Sequence, residues 1–296
     1  MSDRETVGRL LGPDWAGARL ALAGEEPGEG GLRRLTFRNH EGEAVPALYL
    51  PSRTGAAVLY CHAHGGRYDI GIKELTEGRP ALLSPWLPEF AARGWGVLCL
   101  EMPCFGARAK PGEGALAKAR LWQGRTLFGQ MLGESREGLG WLMAQGETDP
   151  ARVGVMGISM GGTLAWWLSA MDARVAAAVS MCCFANLGRL IETGAHDGHG
   201  IYMTVPGLLG VTTTGRLSGL AAPRPLLHCV GFADWSTPED AYAVARDELR
   251  AAYAEAGAAG ALRFHEARAP GHEETAEMRA VVAAFLEERL GRPGGR

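Results

Sequence analysis

The sequence predicts an α/β fold with a mostly parallel central sheet, helices on both faces and a short cap insertion. Three observations carry that prediction. Short apolar runs alternate with longer helical segments over most of the chain, and such alternation buries a parallel sheet from both sides. One run, Val153-Gly-Val-Met-Gly157-Ile-Ser159-Met-Gly161-Gly162, passes from apolar strand into an equally apolar helix across a G-x-S-x-G turn. No Gly/Ser linker, composition break or internal repeat divides the 296 residues, so one large domain accounts for most of them.

Taken in order, residues 1–31 end in the acidic, glycine-rich stretch 24–31 and read as an N-terminal helix and loop lying over the domain. The domain itself spans 32–296. Residues 32–39 and 44–51, joined by His40-Glu-Gly-Glu43, predict an antiparallel pair. Strands are then expected at 56–62, 96–102, 152–157, 175–181, 225–230 and 262–267, with helices at 82–93, 116–143, 160–171 and 238–253. Met278, Val281, Val282, Phe285, Leu286 and Leu290 form an apolar stripe of helical period, which predicts a last helix packed on the sheet. The segment 185–222 does not fit the strand–helix rhythm. Loops of that length inside a compact domain usually bind or cover something, and a cap is expected there.

Hydrophobic residues make up 47% and charged residues 21%, and 30 basic against 33 acidic side chains give a net charge of −3 with no basic block. This composition argues against nucleic-acid partners. The N-terminus has neither the basic leader nor the apolar core of a signal peptide. No stretch nears the ~18 continuous apolar residues of a membrane helix. A cytoplasmic protein without a membrane partner is expected. Of the six cysteines, Cys61, Cys99 and Cys229 lie in strand-like runs and Cys182 and Cys183 end another, so most read as small buried hydrophobes.

With nine serines and 43 glycines in the chain, about 0.2 G-x-S-x-G matches are expected by chance, so the flanking strand and helix carry the motif's weight. A serine hydroxyl is a poor nucleophile and needs a base, itself held by a third group. Those groups belong in loops after the carboxyl ends of later strands. Asp234 follows the strand at 225–230, and His272 follows the strand ending at 267. Taken singly, Asp234 also fits a capping aspartate and His272 a helix-start residue. The chain order Ser159, Asp234, His272 is what joins them. An oxyanion hole would use the amide of Met160 and one from the loop His62-Ala-His64-Gly65-Gly66, with His64 favoured over Gly65. His62 and His64 read as a pair that orients this loop, while His228 and His265 read as packed or surface residues. Trp235, Phe105 and Tyr202 are candidates for an apolar substrate pocket, with core packing an equal reading. The i, i+1, i+3 spacing of His196, Asp197 and His199 matches no common metal site, so local polar contacts or substrate lining are expected, with no metal and no cofactor.

The elbow Gly157-Ile-Ser159-Met-Gly161-Gly162, the His62–Gly66 loop, the Gly231-Phe-Ala-Asp234 loop and Pro270-Gly271-His272 together resemble the α/β-hydrolase superfamily. Within it, residues 32 to the C-terminus are similar to dienelactone-hydrolase-like and acetyl-xylan-esterase-like enzymes, with serine where dienelactone hydrolases carry cysteine. The resemblance implies an α/β-hydrolase fold and a serine esterase acting on a small-molecule ester through an acyl-enzyme. An acyltransferase, a peptidase or a cofactor-free perhydrolase would use the same triad, and a non-catalytic ligand-binding homologue would keep the fold. The oligomeric state stays open, a homodimer included.

Overall fold

The computed structural model describes residues 3–291; the ends of the predicted extension and domain, 1–2 and 292–296, lie outside the described residues. The elements are α1 (Asp3–Leu11), α2 (Pro13–Gly17), β1 (Leu20–Pro27), β2 (Arg33–Asn39), β3 (Ala44–Leu50), β4 (Gly55–Cys61), α3 (Glu74–Glu77), α4 (Leu87–Arg93), β5 (Gly96–Leu100), α5 (Glu113–Trp122), α6 (Leu127–Met143), β6 (Thr148–Ile158), α7 (Met160–Met171), β7 (Ala177–Met181), α8 (Leu187–Thr193), α9 (Thr214–Gly219), β8 (Leu226–Gly231), α10 (Glu239–Glu255), β9 (Leu262–Ala267) and α11 (Ala276–Leu290).

The strands form one sheet in the order β1-β2-β3-β5-β4-β6-β7-β8-β9. β1, β2, β3 and β5 pair antiparallel, and β5, β4, β6, β7, β8 and β9 run parallel. Alternation along each central strand divides two cores. Ala57, Leu59 and Cys61 of β4 join Val153 and Val155 of β6 beneath α1, α2, α6, α7 and α10. Val58 and Tyr60 join Met156 and Ile158 on the opposite face, under Leu75, Phe90 and the Met278, Val282, Phe285, Leu286, Leu290 stripe of α11. Parallel strands send all their carboxyl ends to one edge of the sheet, and the loops gathered there carry the candidate residues.

Three expectations are corrected. Leu20–Pro27 is a strand rather than loop, paired with β2 through a bulge between Leu22 and Gly24. Nearly all of it is exposed, so this edge strand has no alternating apolar pattern to betray it. The helix expected at 116–143 is two helices, because Gly124 turns into the left-handed region at φ 69° and Thr126 caps α6, its Oγ1 accepting from the Gly129 amide at 2.9 Å. The helix expected at 82–93 starts only at Leu87, since Pro85 disfavours helical geometry in the residue before it and Pro88 fits a first turn. The cap segment is built of α8, α9 and three short 3-10 turns.

Candidate active site

β6 delivers Ser159 at the strand-to-helix turn with φ 58° and ψ −123°, a conformation a non-glycine residue rarely adopts. The two flanking glycines explain how the chain tolerates this. A Cβ on Gly157 would lie 2.4 Å from the Cys61 carbonyl oxygen, and one on Gly161 only 1.9 Å from it. With β4 this close, Ser159 is held at the start of α7, where helix amides favour negative charge.

Its Oγ lies 2.8 Å from Nε2 of His272. His272 Nδ1 in turn donates to Asp234 at 2.9 and 3.0 Å, and the Asp234 side chain is fully buried. The three residues come from the ends of β6, β8 and β9 and are brought together as expected. Ser236 was not anticipated: its amide and Oγ both donate to Asp234 Oδ1 at 2.8 Å. An Asp-x-Ser spacing before a helix is a common turn pattern and carries no catalytic signal in a single sequence.

Among the described residues, the amides of His64, Gly65 and Met160 find no protein acceptor. The loop after β4 is fastened on two sides. Glu74 accepts from Tyr60 Oη at 2.7 Å and from the Ala63 amide at 2.9 Å, and pairs with Arg79 at 2.6 Å. Burial pushes the Glu74 carboxyl above its usual range despite Arg79. On the other side Glu113, at the start of α5, accepts from His64 Nε2, from Tyr68 Oη at 3.0 Å and from the Tyr202 amide at 3.1 Å. Burial would raise the Glu113 carboxyl, but the bonds from His64 and Tyr68 hold it below its ordinary value. His62 is wholly buried, accepts from the Met102 amide at Nε2 (3.1 Å) and donates from Nδ1 to the Ala63 carbonyl (3.1 Å). Burial lowers its pKa to about 3, so it stays neutral and shapes the loop.

A cleft of about 310 Å³ opens over Ser159, lined among others by Gly65, Thr163, Cys182, Cys183, Met203 and Trp235. Tyr202 and Trp235 line it as expected, Trp235 at the rim with 59% of its surface exposed. Phe105 does not. It is completely buried behind the loop, against His62, His64 and Tyr68 at centroid distances of 5.0 to 5.3 Å, because its backbone turns inward at the end of β5. Of the cap trio, His196 and Asp197 are exposed and face a neighbouring cap pocket, while His199 lines both that pocket and the cleft. Among the described residues no group of three or more His, Cys, Asp or Glu side chains is arranged to hold a metal ion. No helix among them is long and apolar enough to cross a membrane. All six cysteines are free, and burial lifts the Cys61 and Cys183 thiols to about 12.

The sheet, the serine elbow and an aspartate and histidine on the loops after β8 and β9 define an α/β-hydrolase. The Dienelactone hydrolase family profile matches residues 89–193. YtaP of Bacillus subtilis (strain 168), a hydrolase by name, is 36% identical over 295 residues, covering 97% of this chain and 98% of its own. The chain therefore belongs to the dienelactone hydrolase family and is a hydrolase. Among solved structures, acetyl xylan esterase 1 from Thermoanaerobacterium sp. JW/SL YS485 superposes with a TM-score of 0.65 at 17% identity, over 97% of this chain and 93% of its own. A glucuronoyl esterase from Solibacter usitatus superposes with a TM-score of 0.65 at 17% identity, over 93% and 86%. At such identities the likeness is one of fold.

Proposed function

We propose that this hydrolase is a serine esterase that cleaves small carboxylic esters through an acyl-enzyme on Ser159. His272 Nε2 takes the Ser159 proton as Oγ attacks the ester carbonyl. The amides of Met160 and His64, with Gly65 beside it, hold the resulting oxyanion. As the tetrahedral adduct collapses, His272 returns its proton to the departing alcohol; water then enters by the same route in reverse and releases the acid. Asp234 orients His272 and stabilises its cation. Trp235 and Tyr202 border the bound ester.

The observation that carries this reading is the unbroken relay from Ser159 Oγ to His272 Nε2 at 2.8 Å and from His272 Nδ1 to Asp234 at 2.9 Å. The esterase names of the structural neighbours agree with it. The test is a chain-length series of p-nitrophenyl esters with Ser159→Ala as control. The variant should keep its fold and lose at least roughly 10³-fold in turnover. Undiminished activity in a folded Ser159→Ala protein would end the reading, and failure of Ser159 to label with a fluorophosphonate would favour a non-catalytic binding role.

A further inference from the structure

Resting on the esterase reading, we propose that Glu113 is a positioning residue for the oxyanion hole, acting through His64. His64 is fixed at both ring nitrogens. The Gly66 amide lies 3.0 Å from Nδ1; an amide can only donate, so Nδ1 carries the lone pair and the proton sits on Nε2, where it is donated to Glu113. The imidazole thereby closes a bridge from the loop's own backbone to α5, and the amides of His64 and Gly65 point where that bridge sets them. Gly65 stands at φ 54°, a left-handed turn that glycine adopts without strain.

The same carboxylate also reaches the cap. Its Oε1 accepts from the Tyr202 amide, and the Tyr202 ring stacks on His64 at 5.7 Å and 26°. A Cβ on Gly200 would sit 3.1 Å from Glu113 Oε1 and 2.6 Å from the Tyr202 ring, so the cap approaches as closely as it can. Glu113 thus joins the donor loop after β4 to the cap after β7, two segments with no other bond of this kind between them among the described residues. Its side chain is absent from the lining of the cleft; it acts on the oxyanion only through the backbone it holds.

Replacing Glu113 by glutamine tests this with little change of shape. Glutamine can accept from His64 Nε2 or from the Tyr202 amide through its single oxygen, and its NH2 meets a donor at the other. In Glu113→Gln, kcat for p-nitrophenyl acetate, per site titrated with a fluorophosphonate, is expected to fall by on the order of 10-fold, less than the loss from deleting a donor outright. KM should stay within about twofold, since the Glu113 side chain does not itself line the cleft. The inhibition constant of a trifluoromethyl ketone, whose serine adduct carries the oxyanion, should weaken by the same factor. Glu113→Asp should recover part of the loss. Should Glu113→Gln fail to fold, His64→Phe keeps the ring stacked on Tyr202, removes both links and should lose the same factor in kcat. A kcat per titrated site within twofold of wild type, with only the melting temperature lowered, would overturn the proposal and leave Glu113 a strut. Ser159→Ala separates the two readings: if wild-type turnover does not depend on Ser159, both fail, whereas Ser159-dependent turnover insensitive to Glu113 defeats this inference alone.

Discussion

The hydroxyl of Ser236 lies 2.8 Å from Asp234 Oδ1 and 3.0 Å from His272 Nδ1, so one hydroxyl braces the junction between the buried carboxylate and its histidine. Asp234 keeps its own bonds to His272 without this help. Ser236→Ala should therefore lower kcat modestly, by about 1 kcal/mol or roughly fivefold, with KM unchanged. Steady-state rates on one activated ester suffice, and unaltered kcat would show that the backbone alone positions the carboxylate.

Gly161→Ala should be far more damaging. The added methyl would meet the Cys61 carbonyl oxygen at 1.9 Å and the His62 carbonyl oxygen at 3.0 Å, and this backbone has nothing flexible to yield. Overpacking of this kind costs about 1–3 kcal/mol or more, and here it moves the serine off its histidine. Thermal denaturation should fall by several degrees and turnover should be lost. Gly260→Ala, with open space around the new methyl, is the matched control and should change neither.

His228 is buried on β8 with no hydrogen-bond partner at either ring nitrogen, its ring 3.8 Å from that of Phe184. Burial holds its pKa at about 3, against 6.5 for a free histidine. Between these values the unfolded chain binds a proton that the folded protein refuses, so stability falls as pH drops from 6.5 toward 3. His62 adds a second proton to the same window for the same reason. His228→Phe should raise stability by about 1–3 kcal/mol by removing unpaired polar atoms and reduce the acid slope of the urea midpoint by close to one proton. An unchanged slope would mean the ring is hydrated or already charged.

No Lys, Arg, Asp or Glu side chain lines the cleft over Ser159 among the described residues. A charged group on the substrate would lose water there without gaining an oppositely charged Lys, Arg, Asp or Glu partner. Neutral esters should therefore exceed isosteric esters bearing a free carboxylate or ammonium next to the scissile bond by at least ~10-fold in kcat/KM, about 1.4 kcal/mol. Paired assays at fixed pH decide it, and equal efficiencies would refute a neutral site.

Much of this site was legible in the chain. Ser159 and Asp234 each follow a strong apolar strand and His272 follows a short mixed one, and strand patterning is a local signal. What escaped notice depends on contacts between distant segments. Glu113 and His64 are separated by 49 positions and nothing local marks the acid, which looks like an ordinary helix-start glutamate. Phe105 carries the same apolar side chain whether it lines a cleft or fills a core, and only the turn after β5 decides between them. β1 was invisible because an exposed edge strand is held by backbone bonds, which any side chain permits.

The relay residues leave the sheet at β6, β8 and β9, and β9 is its last strand. A folding intermediate lacking that edge would lack His272, the base of the proposed mechanism, and the Ala267 carbonyl that accepts from the Phe232 amide at 2.9 Å and so holds the Asp234 loop. In refolding from denaturant, recovered turnover would then time the docking of the final strand and α11, while fluorescence and circular dichroism follow the earlier consolidation of everything else. The catalytic assay doubles as a clock for β9 and α11.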